Sequence, residues 1–344
     1  MKSLSNSVST LERLMKPGCD FLKTRYAIMG GAMTWLSERN LVAAISNGGG
    51  FGVLACGSMN PDLLRAEIKA TRALTKNPFG VNIITMHPQL DALISVCVSE
   101  KVSHVVLAGG IPPAPSVKLA KDGGAKVICF TPAVSLGKRM VRMGVDALVI
   151  EGMEAGGHVG PVSTSVLSQE ILPAIREIPI FVAGGIGRGE AMLSYLEMGA
   201  AGVQLGTRFV CSNECVAHAN FKKAFIRASA RDAVTSIQLD PRFPVIPVRA
   251  LANEATKTFL SKQKEVINRY DRGEVTKEEA QLEIEHFWVG ALRRAVIDGD
   301  IENGSVMAGQ SVGLVDKEQP VFEIIRELIS QAETALSKRT PLTA

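Results

Sequence analysis

The stretch that decides the fold is Ala147-Leu-Val-Ile150 followed by Glu151-Gly-Met-Glu-Ala-Gly-Gly-His158-Val-Gly160. The first four residues are apolar in succession, which is typical of a strand buried on both faces. The glycines that follow let the backbone come close to a flat or charged ligand. An imidazole beside such a surface, here His158, can exchange a proton near neutral pH. The alternative is a tight strand-to-helix turn with an uninvolved histidine.

Similar short apolar runs recur before and after this stretch, and helix-like segments such as Pro61–Leu74, Ser135–Met143 and Glu190–Met198 separate them. Strands that alternate with helices predict an α/β fold, and eight of them favour a (β/α)8 TIM barrel. An open doubly wound sheet is the alternative. The predicted strands are Tyr26–Met29, Phe51–Leu54, Phe79–Ile83, His104–Leu107, Lys126–Phe130, Ala147–Ile150, Ile180–Ala183 and Gly202–Leu205.

In a barrel, the active site lies at the C-terminal ends of the strands, and phosphate sites favour the loops after strands 7 and 8. Those loops are Ala183-Gly-Gly-Ile-Gly-Arg-Gly189 and Gln204-Leu-Gly-Thr-Arg-Phe209. Both offer backbone N–H groups with little obstruction, and Thr207 adds a hydroxyl, so they suit a phosphate monoester. A Rossmann fingerprint is a weaker reading because it belongs after the first strand of its unit. Ser46-Asn-Gly-Gly-Gly-Phe-Gly52 precedes strand 2 and predicts a tight turn at the opposite face.

Composition narrows the class of protein. The chain has 344 residues, 46% of them hydrophobic and 21% charged, which is normal for a globular enzyme. A net charge of +4 with no Lys/Arg block argues against a nucleic-acid partner. No run reaches the roughly 18 apolar residues that span a bilayer, and the N-terminus has no apolar signal-peptide core, so we expect no membrane association.

The six cysteines follow no disulfide-scaffold pattern, which favours free thiols in a reducing cytoplasm. Cys211, Cys215 and His218 have a spacing that could hold a metal. A zinc site normally has three or four protein ligands, and no clear fourth ligand is nearby. We therefore predict no metal site.

Beyond the last predicted strand, the alternation stops. Helix-like segments at Asn220–Ser229, Glu254–Tyr270 and Thr276–Ile297 indicate a mainly helical region, and Phe322–Leu336 predicts a closing helix. We expect a barrel over 1–215, a helical cap over the active site at 216–310, and a C-terminal segment, 311–344, that packs back on the barrel.

Four motifs resemble those of the FMN-dependent nitronate monooxygenase family, formerly called 2-nitropropane dioxygenases. They are Phe79-Gly-Val-Asn82, Glu151 to His158, Ala183-Gly-Gly-Ile186 and Gln204 to Phe209, within a resemblance that extends from about Thr24 to Glu333. The flavin-type enoyl-ACP reductase looks similar throughout, including Gly304-Ser-Val-Met-Ala-Gly309, and some relatives are NADH:quinone reductases.

The resemblance implies an FMN across the barrel mouth and assigns His158 as the active-site histidine. It also implies which residues bind the cofactor. Next to the isoalloxazine it places Ala32, Met33, Thr34, Asn82 and Gly156, and at the phosphate it places Ala183, Gly184, Gly185, Gly206 and Thr207. One departure is Ala27-Ile-Met-Gly-Gly-Ala-Met33, where many members have Pro-Ile-x-Gln-Gly-Gly-Met; it bears on the substrate more than on the flavin.

The activity implied first is oxidation of alkyl nitronates or nitroalkanes with O2 to carbonyl compounds and nitrite. The alternative is an NAD(P)H-dependent reductase of an enoyl thioester or a quinone. In that case Arg208, Lys222, Lys223, Arg227 and Arg231 could form a basic patch for an acidic acyl-carrier protein. A homodimer is one oligomeric state that we consider, and a flavin-binding protein without catalysis is a third reading.

Overall fold

The computed structural model describes residues 2–243 and 246–339, and within them a parallel eight-stranded barrel holds the core. Its strands are short and almost wholly buried, as continuous apolar runs predict. The barrel strands are β1 (Ile28–Gly30), β2 (Gly52–Ala55), β3 (Phe79–Ile84), β4 (His104–Ala108), β5 (Lys126–Phe130), β6 (Ala147–Glu151), β8 (Ile180–Ala183) and β9 (Gly202–Leu205).

The order of the strands is β1-β9-β8-β6-β5-β4-β3-β2, and every neighbouring pair is parallel. A parallel bridge between Met29 and Phe51 joins the two end strands. The sheet therefore closes on itself, and the predicted (β/α)8 barrel is confirmed rather than the open sheet. All eight predicted strands are present, with ends that differ by at most two residues.

Helices alternate with the strands, and local sequence sets where they begin. Asn60 caps the helix that starts at Pro61 by accepting a hydrogen bond from the amide of Leu63, as its position before a proline predicts. The barrel helices are α2 (Arg39–Asn47), α3 (Pro61–Leu74), α4 (Leu90–Ser99), α5 (Ala114–Asp122), α6 (Val134–Arg142), α7 (Thr164–Ile171), α8 (Gly189–Glu197) and α13 (Val321–Ser337).

An N-terminal helix that the sequence analysis missed, α1 (Lys2–Leu22), packs against α13 and β9. In its last turn, Phe21 contacts the ring of His104 edge-on, and Phe51 contacts the same ring from another side. His104 is buried, and its ring nitrogens lie 2.9 Å from Ser103 Oγ and 3.1 Å from the carbonyl of Phe21. This aromatic cluster fills the N-terminal end of the barrel. The turn predicted at the same face is present, with Gly49 at a φ of +91°.

An insert follows β9 and carries a small core of its own. It contains the four-residue helix α9 (Thr207–Val210), α10 (Ala219–Arg227), α11 (Glu254–Asp271), α12 (Lys277–Arg293) and a π-helical turn at Arg294–Asp298. The second apolar cluster centres on Phe243, Phe259 and Trp288. Helix α13 then returns to the barrel and packs against α8 and α1 as its eighth outer helix. The C-terminal residues 340–344 lie outside the described part.

The insert also contributes two strands, β10 (Ala233–Thr235) and β11 (Val248–Leu251), which pair antiparallel. A third strand, β7 (Gly157–His158), comes from the glycine-rich loop after β6 and pairs with β11. This small sheet was not predicted. It joins the insert to the loop that carries the candidate histidine. Among the described helices, none has the length and apolar character needed to cross a membrane.

Candidate active site

The two glycine-rich loops predicted to bind a phosphate lie side by side, because β8 and β9 are neighbours in the barrel. Gly184 and Gly185 have φ values of +93° and +72°, which glycine adopts at little cost. The backbone amides of Gly185 and Gly206 donate to no other described residue. Adjacent free N–H groups at the ends of parallel strands form an anion-binding concavity.

Thr207, at the start of α9, meets the end of the insert. Its Oγ1 accepts a hydrogen bond from the amide of Gly309 at 3.0 Å, which leaves the hydroxyl proton available to a ligand. A Cβ added to Gly156 would lie 2.6 Å from the amide nitrogen of Gly309. The 304–309 motif therefore packs on both Gly156 and Thr207, and glycine is required at 156 for that approach.

The loop after β1 lies next to this concavity. Ala32, Met33 and Thr34 are partly buried, and a Cβ built at Gly206 would be 3.4 Å from Met33 Sδ. Ser37 fixes the loop, since its hydroxyl accepts from the Met33 amide at 2.9 Å and donates to the Gly31 carbonyl at 2.7 Å.

Asn82 approaches the barrel mouth from β3, on the other side from β8 and β9. It is buried, and its Nδ2 donates to the Val106 carbonyl at 3.2 Å. All the cofactor-binding residues predicted from the sequence thus lie at or just beyond the C-terminal ends of barrel strands, which is where this fold builds its sites.

His158 is exposed, and the backbone of β7 holds it in place. Its strand partner is Val248 of β11, and the next amide, that of Val159, donates to the Pro247 carbonyl at 2.9 Å. Around it, the His158 loop (residues 153–162) closes at its neck, where the Met153 amide donates to the Val162 carbonyl at 2.8 Å. An exposed imidazole on a fixed backbone can reach a ligand in the mouth.

Glu151 is a site residue that the sequence analysis quoted without giving it a role. It ends β6 and lines a cavity of about 150 Å³ together with Phe130, Pro132, Val162 and Leu167. Burial raises the pKa of this carboxyl to about 7. A carboxylic acid that is partly protonated at neutral pH and ends a barrel strand is typical of a functional site. The sequence signal that could have identified Glu151 is its place as the last residue of a barrel strand, where this fold builds its active sites.

The structure corrects the predicted basic patch. Arg208 and Lys222 are buried at 3% and 6% exposure and pair with Glu327 and Glu318, so neither can meet a partner protein. Lys223, Arg227 and Arg231 remain as candidates. All six cysteines are free thiols, and His218 Nδ1 accepts from the Asn220 amide at the start of α10. Within the described residues, no three His, Cys, Asp or Glu side chains gather as a metal site requires.

The site therefore has the form of a barrel-mouth enzyme centre. The free amides of Gly185 and Gly206 and the hydroxyl of Thr207 lie at the ends of two neighbouring strands, β8 and β9, where a phosphate group fits. The β1 loop approaches Gly206, and the 304–309 motif packs on Gly156 and Thr207. These residues fit a phosphate-bearing, planar cofactor such as FMN. A Cβ at Gly156 would meet the Gly309 backbone, and a Cβ at Gly184 or Gly185 would strain the backbone of the loop after β8.

Comparisons with known proteins agree with this class of enzyme. The model of the nitronate monooxygenase family matches residues 16–93 and 89–331. The chain is similar to the structure of FabK from Thermotoga maritima, with a TM-score of 0.83 and 36% identity over 93% of this chain and 96% of that one.

Two curated relatives differ in the activity that their names give. A probable nitronate monooxygenase of Staphylococcus aureus (strain MSSA476) is 27% identical over 90% of this chain and 95% of its own length. The (3aS,4S,5R,7aS)-5-hydroxy-7a-methyl-1-oxo-octahydro-1H-indene-4-carboxyl-CoA dehydrogenase of Mycobacterium tuberculosis (strain ATCC 25618 / H37Rv) is 27% identical over 96% of this chain and 99% of its own length.

The fold and the site define a (β/α)8-barrel oxidoreductase that acts on a small molecule. The chain belongs to the nitronate monooxygenase family, whose members are in general flavin-dependent.

Proposed function

We propose that this chain is an FMN-dependent oxidoreductase. The observation that carries the proposal is the pair of free amides at Gly185 and Gly206 beside the hydroxyl of Thr207, which together suit the FMN phosphate. In the proposal, Ala183 and Gly184 complete the phosphate cradle, and the ring lies against five residues. These are Ala32, Met33, Thr34, Asn82 and Gly156. The flavin supplies the electron transfer, and the protein supplies binding and orientation.

His158 is the proposed proton-transfer group. Its exposure at the barrel mouth lets it contact a substrate, while β7 and β11 fix its backbone. With a nitroalkane it would take the proton from the carbon next to the nitro group. With an enoyl thioester it would deliver a proton to the carbon next to the thioester carbonyl. One positioned side chain of this kind contributes about 10²–10⁴-fold to a rate.

The first candidate reaction is the oxidation of alkyl nitronates with O2. The family match and the similarity to probable nitronate monooxygenases support it. The exposed histidine suits an anionic nitronate, because a ring N–H can donate a hydrogen bond to a nitronate oxygen. The sequence analysis favoured this activity, but it did so from motifs that the flavin-type enoyl-ACP reductase shares.

Reduction of an enoyl thioester by NAD(P)H is the second class, and it now has the stronger support. The similarity to FabK, an enoyl-ACP reductase, reaches 36% identity over nearly the whole chain. The name of a second relative includes a carboxyl-CoA, which is also a thioester. The 304–309 motif, which the reductase shares, packs directly on Gly156 and Thr207.

A paired assay separates the two classes on one FMN-loaded preparation. Oxidation of NADH or NADPH that depends on an enoyl thioester supports the reductase. Nitrite released from an alkyl nitronate in air, without nicotinamide, supports the monooxygenase. If the FMN-loaded protein shows neither activity, both enzyme assignments fail and a flavin-binding protein without catalysis remains.

Three further points belong to the proposal. We propose a division into a barrel (1–215), a cap (216–310) and a returning segment (311–344), and the insert between β9 and α13 with its separate core supports it. A reducing cytoplasmic location accords with six free thiols, five of them buried. A homodimer is proposed only as the oligomeric state to test, by light scattering of the purified protein.

A further inference from the structure

The His158 loop, residues 153–162, receives a charged side chain from the insert, although the two segments are about 90 residues apart in sequence. Arg249 lies on β11, where it faces Gly157 across the strand pair, one position from the pairing of Val248 with His158. It is buried, with 4% of its surface exposed. Its Nε donates to the Met153 carbonyl at 2.9 Å.

The same guanidinium also binds the second strand of the insert hairpin. Its Nη1 donates to the Ala233 carbonyl, on β10, at 2.5 Å. One planar group therefore connects the neck of the His158 loop to β10, while its own backbone belongs to β11. Burying an arginine is costly unless its donors are satisfied, so such a residue is rarely kept for packing alone.

The charges around the Arg249 guanidinium are consistent with a side chain that is held in one position. Burial lowers the pKa of Arg249, and the nearby carboxylate of Glu154 opposes that effect. Glu154 belongs to the same loop, and its Oε2 accepts from the amide and the hydroxyl of Thr164, each at 2.9 Å. The loop is thus held from the α7 side by Glu154 and from the insert side by Arg249.

We propose that Arg249 is a positioning residue for His158. Its guanidinium fixes the carbonyl of Met153 and so keeps β7 paired with β11, which holds the imidazole over the barrel mouth. The role of His158 in this statement rests on the proposed function, whereas the restraint on the loop does not. Arg249 does not contact the reacting atoms in this account.

Hydrogen exchange followed by mass spectrometry tests the restraint without any substrate. The comparison uses FMN-loaded wild-type protein, Arg249→Met and Arg249→Lys. The control is Arg242→Met, which removes an arginine of the same insert whose ion-pair partners are Asp240 and Asp271. Peptides from 153–163 report the loop, and a peptide from 126–130 reports the barrel.

We expect exchange in 153–163 to accelerate at least tenfold in Arg249→Met, with the barrel peptide unchanged. The exchange rate of Arg249→Lys in 153–163 should lie between those of the wild type and Arg249→Met. A lysine ammonium can reach one carbonyl but cannot bridge the carbonyls of Met153 and Ala233. Arg242→Met should match the wild type in both peptides. If Arg249→Met does not fold, Arg249→Lys carries the same comparison.

Turnover provides the second readout. With either substrate class, kcat should fall in both Arg249→Met and Arg249→Ala. Millimolar guanidinium ion should restore part of the lost kcat in Arg249→Ala, whose smaller side chain leaves room for the ion. Loop exchange equal to wild type in a folded Arg249→Met protein would overturn the proposal. So would a loss of turnover that guanidinium does not restore. If no substrate is turned over by the wild type, the proposed function fails, while the exchange result still decides the restraint.

Discussion

The amide of Gly309 donates a hydrogen bond to the hydroxyl of Thr207 at 3.0 Å, across 102 residues of sequence. Thr207 begins the short helix after the last barrel strand, and Gly309 ends the 304–309 motif at the end of the insert. The insert therefore leaves the barrel and returns to it at the same point, beside the candidate phosphate site. Formation of that site requires the barrel and the end of the insert together.

Glycine at 185 is needed for the cradle, which a matched pair of variants can test. Gly185 has a φ of +72°, and a Cβ there would lie 3.1 Å from Glu154 Cβ. Gly199 has a φ of +104°, with no atom within 4 Å of the added Cβ. Alanine at either position should cost about 1–2 kcal/mol of stability through backbone strain. Only Gly185→Ala should weaken FMN binding, by at least tenfold in a fluorescence titration. Equal affinity in both variants would remove Gly185 from the site.

Replacement of His158 tests the proposed proton transfer. His158→Ala should retain FMN and lose about 10²–10⁴-fold in kcat, because the positioned acid–base group is gone. His218→Ala is the control, since His218 caps α10 and takes no part in the proposed site. It should lower stability by about 1 kcal/mol and leave kcat within twofold. Steady-state kinetics of both variants decide the matter, and an unchanged kcat in His158→Ala would contradict the assignment.

Glu151 should make stability depend on pH. Its folded-state pKa, raised to about 7 by burial, lies above the ordinary value of 4.5. The folded protein therefore holds this proton more tightly, so the contribution is fully present below pH 4.5 and is lost as pH rises through 7. Relative to Glu151→Gln, the wild type should become less stable from pH 5 to pH 8.5, by on the order of 1 kcal/mol, since the side chain is partly open to the cavity. Denaturant unfolding at the two pH values measures this difference, and no change would mean that Glu151 titrates normally.

His104 should also make the stability of the protein depend on pH, but its contribution should be lost as pH falls. Burial lowers its pKa from 6.5 to about 4, so the folded protein keeps the ring neutral. Its contribution to stability is complete above pH 6.5 and is lost as pH falls towards 4. Across that range the wild type should lose about 3 kcal/mol relative to His104→Leu, even though the variant is less stable at neutral pH. Parallel slopes for the two proteins in thermal melts from pH 4 to 7.5 would contradict this account.

The barrel and the position of its two glycine-rich loops could be predicted because their signals are local. Strands such as Ala147–Glu151 are buried on both faces and show as unbroken apolar runs, and glycines mark the loops where they end. Once the barrel was inferred, its geometry placed Gly185 and Thr207 together. The helix from Pro61 to Leu74 was likewise visible from its cap and first residue.

The small sheet could not be predicted, since its information is not local. Strand β7 is only Gly157 and His158, and its partner β11 follows about 90 residues later. Arg249 looked like any charged residue of the insert until the fold brought it to Met153. Arg208 and Lys222 were misread for the same reason, because pairing and burial depend on Glu327 and Glu318 far along the chain.

The most direct measurement of the proposed function is an anaerobic mixing experiment. The purified FMN-loaded protein is mixed with NADH or NADPH, and the visible absorbance of the flavin is followed. The account predicts rapid bleaching with one of the nucleotides and return of the colour when an enoyl thioester is added. No bleaching with either nucleotide, together with loss of the oxidised-flavin absorbance on addition of an alkyl nitronate, would contradict the reductase assignment and establish nitronate as the electron donor.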